Sequence, residues 1–182
     1  MIMQTIIDDL KKAGFSGEME NDPTTLNVYS HDASMFEIKP KLVVAPKNSK
    51  DVEILTKFVA THKKHHPHLS LTARSAGTDM SGGAINDSII VDVRRHLNSI
   101  EYISHTRATV QPGVFYRDFD VESAKYGALL PSYPASRDLC TLGGMINNNS
   151  GGEKSLEYGK TDQYVEELEV VFYDGVKRIV TP

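Results

Sequence analysis

The chain has no tryptophan and a single cysteine, Cys140, in 182 residues. A lone thiol closes no internal disulfide, so noncovalent packing must hold the fold. A basic surplus is also missing: 20 Lys and Arg stand against 24 Asp and Glu, a net charge of -4. That balance lacks the electrostatic footprint of a nucleic-acid binder, and no nucleic-acid partner is expected. Apolar runs are only a few residues long, too short to span a bilayer. Met1 to Gln4 shows neither the basic region nor the long apolar segment of a signal peptide, so the expected compartment is the cytoplasm. No GxGxxG occurs, and no Lys-Ser or Lys-Thr follows the first glycine cluster as a Walker loop requires, which removes the two commonest nucleotide fingerprints there. No local Ser/His/Asp arrangement supports hydrolysis, and there is no internal repeat or low-complexity tract. With 40% hydrophobic and 24% charged residues the chain is ordinary for a globular protein, long enough for one core or two small lobes.

What is present is small residues in two clusters. The first runs Arg74-Ser75-Ala76-Gly77-Thr78-Asp79-Met80-Ser81-Gly82-Gly83, between the apolar stretches 69–72 and 89–93. Small side chains leave backbone N–H groups uncovered, glycine supplies positive φ angles, and Arg74 adds charge, which together describe a diphosphate cradle. A plain turn between strands is the other reading. The second cluster, Thr141-Leu142-Gly143-Gly144-Met145-Ile146-Asn147-Asn148-Asn149-Ser150-Gly151-Gly152, pairs glycines with amides and hydroxyls that can donate to phosphate or a heterocycle edge. Two such loops suit a long ligand with a phosphate-bearing middle.

These loops fall in a longer ordered series: Pro40-Lys41-Leu42-Val43-Val44-Ala45-Pro46, the first loop, Val110-Gln111-Pro112-Gly113-Val114, Leu130-Pro131, the second loop, and Ser155-Leu156-Glu157-Tyr158-Gly159-Lys160-Thr161. From about residue 25 onward this series resembles the FAD-binding domain of the vanillyl-alcohol oxidase (PCMH-type) superfamily. Within it the chain is most similar to the FAD-linked subunits of D-lactate dehydrogenase and glycolate oxidase. The resemblance implies an α+β fold of two small α/β lobes. Residues 1–98 would form a β-α-β lobe carrying the diphosphate loop, and 99–182 a second, incomplete lobe with a mixed or antiparallel sheet, cut before a substrate domain. It places Arg74, Ser75, Ala76, Gly77, Thr78, Asp79, Ser81 and Gly82 around the FAD diphosphate. Gly113 would lie near the adenosine half through its backbone, whereas Pro131, Thr141, Gly143, Gly144, Asn148 and Gly151 would line the diphosphate and isoalloxazine. Which of Asn147, Asn148 and Asn149 faces the flavin is open. Some relatives link FAD covalently through a histidine in the first loop; Thr78 stands there and has no imidazole, so reversible binding is expected.

Periodicity fills in the elements. Ile2, Ile6, Ile7 and Leu10 mark one face of a helix closed by Gly14, and residues 16–40 read as irregular. Leu42 to Ala45 reads as a buried strand; Asn48 caps a helix with Asp51 as its capping-box partner, carrying Val52, Leu55, Phe58, Val59 and His62 and ending before Pro67. Strands follow at 69–72 and 89–93, giving a parallel pair under a crossover helix. Further strands are expected at 102–103 and 108–111. A helix then carries Phe115, Phe119 and Tyr126 on one side, and a hairpin spans 165–180 with Asp174-Gly175 as its two-residue turn.

Other groups attract plainer readings. His62 and His66 sit at i, i+4 in a histidine-rich run, but Lys63 and Lys64 repel a cation and no carboxylate or cysteine supports a site, so no metal is expected. Cys140 has no neighbouring base or cation and reads as a small buried filler. His31, Asp32 and His105 show no visible partners. The function expected is the FAD-binding portion of a flavin oxidoreductase acting on a 2-hydroxy acid such as D-lactate or glycolate, with the substrate groups in a missing C-terminal part or a partner chain. The other class is a noncatalytic FAD- or nucleotide-binding scaffold subunit. Alone, the chain is expected to leave 2-hydroxy acids unoxidised in a dye-linked assay.

Overall fold

A computed structural model describes residues 2–182. Its centre is a pair of four-residue apolar strands, β2 (Leu42–Ala45) and β4 (Ile89–Asp92), every residue of which is buried. Strands covered on both faces belong in a parallel sheet, and these two pair in parallel. β1 (Glu18–Glu20) adds antiparallel to β2, and β3 (Leu71–Arg74) adds parallel to β4, for the order β1-β2-β4-β3. The crossover is α3 (Ser49–His62), so the strands flanking it in sequence are separated in the sheet by β4 rather than paired directly. α1 (Ile2–Lys12) lays Ile6, Ile7 and Leu10 on the same core as Leu42, Leu55, Phe58 and Ile89; the Ile2 side chain lies outside the described residues. Gly14 closes it at φ 91°.

Several expectations shift. Residues 16–40 are not wholly irregular: they hold β1 and α2 (Pro23–Val28), whose N-cap Asp22 accepts from Thr24 and Thr25 N–H. Asn48 caps α3 as expected, accepting from Asp51 N–H at 3.0 Å. The Asp51 carboxylate makes no capping box, however. It turns to Ser16 N–H at 2.8 Å and Lys47 N–H at 2.9 Å, tying the loop after α1 to α3. The third strand starts at Leu71, not 69, because Leu69 donates back to His66 O while its side chain fills the core.

The second part holds two separate antiparallel hairpins instead of one sheet: β5 (Ile100–Ile103) with β6 (Ala108–Val110), and β7 (Leu168–Val171) with β8 (Lys177–Val180). The last hairpin turns through three residues, Tyr173 to Gly175, with Phe172 and Val176 as its closing pair and Gly175 at φ 74°. This is the bulged turn that places glycine in the left-handed region. It packs on α3, where a Cβ on Gly175 would lie 2.6 Å from Lys57 Cβ. α4 (Tyr116–Ala124) buries Tyr116 and Phe119, but Phe115 is its N-cap and Tyr126 lies beyond its end, 45% exposed. Tyr116 donates to Leu130 O at 2.8 Å and anchors a second core with Val114, Tyr133, Cys140, Leu142 and Met145. α5 (Leu142–Asn147), α6 (Ser155–Tyr158) and a short 3-10 helix (Thr161–Tyr164) complete the helices among the described residues. Among the described residues no helix is long and apolar enough to cross a membrane.

Candidate functional site

β3 and β4 run parallel and end together at the pair Arg74 and Asp92, so the first glycine loop leaves the sheet at its carboxyl edge. In α/β sheets that edge is where ligands bind. Among the described residues, the N–H groups of Ser75, Ala76, Gly77 and Thr78 donate to nothing. Gly77 stands at φ 70°. Four free donors around a left-handed glycine make a nest that an anion fits.

Arg74 does not reach out over this nest. It is 8% exposed and donates to Tyr29 O at 3.4 Å and Ala84 O at 3.3 Å, with its guanidinium 5.2 Å from the centre of the Tyr29 ring. Burial, followed by the neighbouring Arg94 charge, pushes its pKa down from the ordinary arginine value. Its part is to brace the loop from beneath: a Cβ on Gly77 would lie 2.6 Å from Arg74 Nη2. Asp79 also turns inward. Its Oδ2 accepts from Ser81 N–H at 3.1 Å, Ser81 Oγ–H at 2.7 Å and Gly83 N–H at 2.6 Å. The Ser81 hydroxyl is thus committed to Asp79, and these bonds hold the carboxylate below its usual range. Thr78 keeps a free hydroxyl, and Gly82 (φ 86°) packs on Phe36.

Removing the Asp79 staple is expected to loosen the loop. Asp79→Ala should weaken ligand binding at the nest about tenfold, roughly the worth of one hydrogen bond to a charged group, and Asp79→Asn should restore most of it. Fluorescence titration of both variants with the dinucleotide that the sequence resemblance implies reads this directly. Because the carboxyl is already ionised well below neutrality, affinity on this account stays flat from pH 6 to 8.

The other motifs converge on the same place. A Cβ on Gly144 would lie 3.6 Å from Ser75 Cβ, which sets the second loop beside the first. Thr141 is the buried N-cap of α5 and accepts from Gly144 N–H at 3.3 Å. Gly143 N–H donates to Pro112 O at 2.9 Å, and a Cβ there would lie 2.5 Å from Pro112 Cβ. Gly113 is buried, with a Cβ position 2.4 Å from Val93 O. Gly113 and Gly143 therefore serve close packing that brings strand end, turn and α5 together. Gly152 touches Tyr133 O in the same manner, and Gly151 sits against Ser155, so Tyr133 and Pro134, two and three residues after buried Pro131, adjoin the second loop. Of the three asparagines, Asn149 (φ 43°) is occupied by accepting from Asp162 N–H at 3.0 Å. Asn147 and Asn148 are exposed, and their side chains have no partner among the described residues. Cys140 is buried in the second core, and burial pushes its thiol up to about 11.

Sequence reasoning missed the segment 29–36. Ala33 N–H donates to Gly77 O at 3.0 Å, and Phe36 covers Gly82. Asp32 accepts from Ser34 N–H at 2.8 Å, and its other oxygen is buried without a partner beside the Arg74 charge. The Asp-x-Ser turn was the one local signal.

A family model described as "FAD binding domain" matches residues 40–180. The chain is 30% identical over 176 residues to D-2-hydroxyglutarate dehydrogenase of Escherichia coli (strain K12), covering 96% of this chain and 17% of the relative. It is 35% identical over 152 residues to glycolate oxidase subunit GlcD of Bacillus subtilis (strain 168), covering 81% and 31%. A solved structure of alkyldihydroxyacetonephosphate synthase superposes with a TM-score of 0.79 at 20% identity, covering 97% of this chain and 34% of that one. The chain thus spans a third or less of these two relatives' lengths.

Proposed function

Since the chain belongs to the FAD-binding domain family, we propose that it is the flavin-carrying part of an oxidoreductase that oxidises a 2-hydroxy acid such as D-lactate or glycolate. The observation that carries this reading is the nest of free N–H groups at 75–78, set against Gly144 of the second loop. Free N–H groups around a left-handed glycine fit a diphosphate, and the second loop then faces the rest of the dinucleotide. FAD, when bound, supplies the acceptor for the hydride equivalent removed from the substrate carbon. The chain's own residues bind and orient it: N–H groups hold the diphosphate, and Arg74 and Asp79 fix the loop's shape. The boundary between the two lobes lies near 98/99, supported by the separate buried clusters on either side. Groups that bind the substrate and take its hydroxyl proton come from a further domain or a partner chain. The compartment is the cytoplasm.

Binding is reversible on this reading. Thr78 cannot form an imidazole link, and the Cys140 thiol is buried and held neutral. Purified chain loaded with FAD should show the flavin absorption bands and release all flavin into the supernatant on acid precipitation. Yellow colour kept by the pellet would refute it, and the absence of any flavin spectrum after loading would refute the FAD reading itself.

A further inference from the structure

One segment of the chain joins none of the hydrophobic clusters and rests on the first glycine loop. Residues 31–39 include no buried residue, and Met35 at the tip is 98% exposed. The segment is nevertheless fastened into one shape. His31 and Glu37 form an antiparallel bridge with their side chains 3.5 Å apart, and Ile38 N–H donates to Ser30 O at 2.9 Å. Within it, Asp32 Oδ1 accepts from Ser34 N–H at 2.8 Å, and Ser34 Oγ accepts from Phe36 N–H at 3.1 Å. Beyond this closed base, its one hydrogen bond among the described residues runs from Ala33 N–H to Gly77 O at 3.0 Å. A second contact sets Phe36 Cδ2 3.1 Å from where a Cβ on Gly82 would stand. Gly77 and Gly82 are the two glycines of the loop with positive φ, at 70° and 86°.

We propose that Ala33 is a positioning residue of the cradle: by holding the Gly77 carbonyl it aims the Thr78 N–H at the phosphate of the ligand. The proposal rests on the reading of the first loop as a diphosphate cradle. In a planar trans peptide the carbonyl and the following N–H point in opposite directions. The Gly77 carbonyl is turned to the segment, so the Thr78 N–H is turned away from it. That N–H donates to nothing among the described residues. Without Ala33 the peptide between Gly77 and Thr78 keeps no hydrogen bond, and the glycine on one side of it lets it flip at little steric cost. A flipped peptide would present a carbonyl oxygen, with its partial negative charge, to the anion. Fixing the peptide before the ligand arrives removes that ordering cost from binding.

The test follows the Ala33 and Thr78 amides by NMR while the wild-type chain is titrated with inorganic pyrophosphate and, separately, with FAD. A saturable shift of the Thr78 amide is expected with both. Coupling is reciprocal, so saturation should also slow hydrogen exchange at Ala33 N–H by about tenfold. Ala33→Pro deletes the donor and should bind both ligands about tenfold more weakly, the worth of one hydrogen bond serving a charged group. A semisynthetic chain with an ester in place of the Asp32–Ala33 amide should show the same loss, and it carries the test if proline disturbs the fold. Full pyrophosphate affinity in the ester chain, unchanged Ala33 exchange on saturation, or no saturable Thr78 shift in the wild type would each overturn the proposal. A chain that shows the pyrophosphate couplings but binds no FAD upholds the role of Ala33 and refutes the flavin assignment.

Discussion

Gly77→Val is expected to weaken FAD binding at least about a hundredfold, the loss of two hydrogen bonds from backbone donors to a charged diphosphate. Gly77 holds φ at 70°, which a β-branched residue resists, and the new side chain would start 2.6 Å from Arg74 Nη2. Arg74 is wedged between Tyr29 O and Ala84 O and has little room to retreat. The substitution therefore spoils the nest and its brace together. The chain should still fold, since the loop lies outside all three hydrophobic clusters, but with a stability loss of about 1–3 kcal/mol from the strained backbone. Flavin titration with circular dichroism and thermal melting separates the two effects. Normal affinity in a folded Gly77→Val protein would move the cradle elsewhere.

The largest stability effect should come from Asp92. It is fully buried at the end of β4 and accepts from the Tyr29 hydroxyl at 2.5 Å, Arg94 Nη2 at 2.9 Å and Arg94 N–H at 2.8 Å. Arg95 joins the cluster and carries it to Glu18 and Glu20 of β1. Breaking a buried pair from one side leaves its partners uncompensated, so Asp92→Ala should cost about 3–5 kcal/mol in urea unfolding at pH 7. Burial alone would raise the Asp92 pKa, but hydrogen bonds from Arg94 and Tyr29 outweigh it and hold the carboxyl below its ordinary value of 3.8. A folded-state pKa below the unfolded one means the stabilisation is complete above the unfolded value and is lost as pH falls through the folded one. The gap between wild type and Asp92→Ala should thus be constant from pH 5 to 7 and shrink below pH 4. A gap that stays the same down to pH 2 would show that the charge of Asp92 is not what matters.

Much of this was legible in the sequence. Four apolar residues at 42–45, the Asn48 cap and the alternation around Asp174-Gly175 fixed local structure, because capping, burial on two faces and turn geometry act over a few neighbouring residues. The ordered glycine motifs pointed to the family for the same reason: close backbone approach demands small residues wherever the motif stands. What one dimension could not supply was partnership. Arg74 reads as a ligand cation until Tyr29 and Ala84 carbonyls are seen to hold it, and Asp79 reads as a ligand until Ser81 and Gly83 close on it. Segment 29–36 carries no periodicity, so its place over Gly77 and Gly82 emerges only when β4 inserts between β2 and β3. The sequence by itself determined which stretches must expose bare backbone and which must be buried, since those follow from side-chain size and polarity. Only the tertiary structure decided which donors remain free for a ligand, because long-range packing spends the rest.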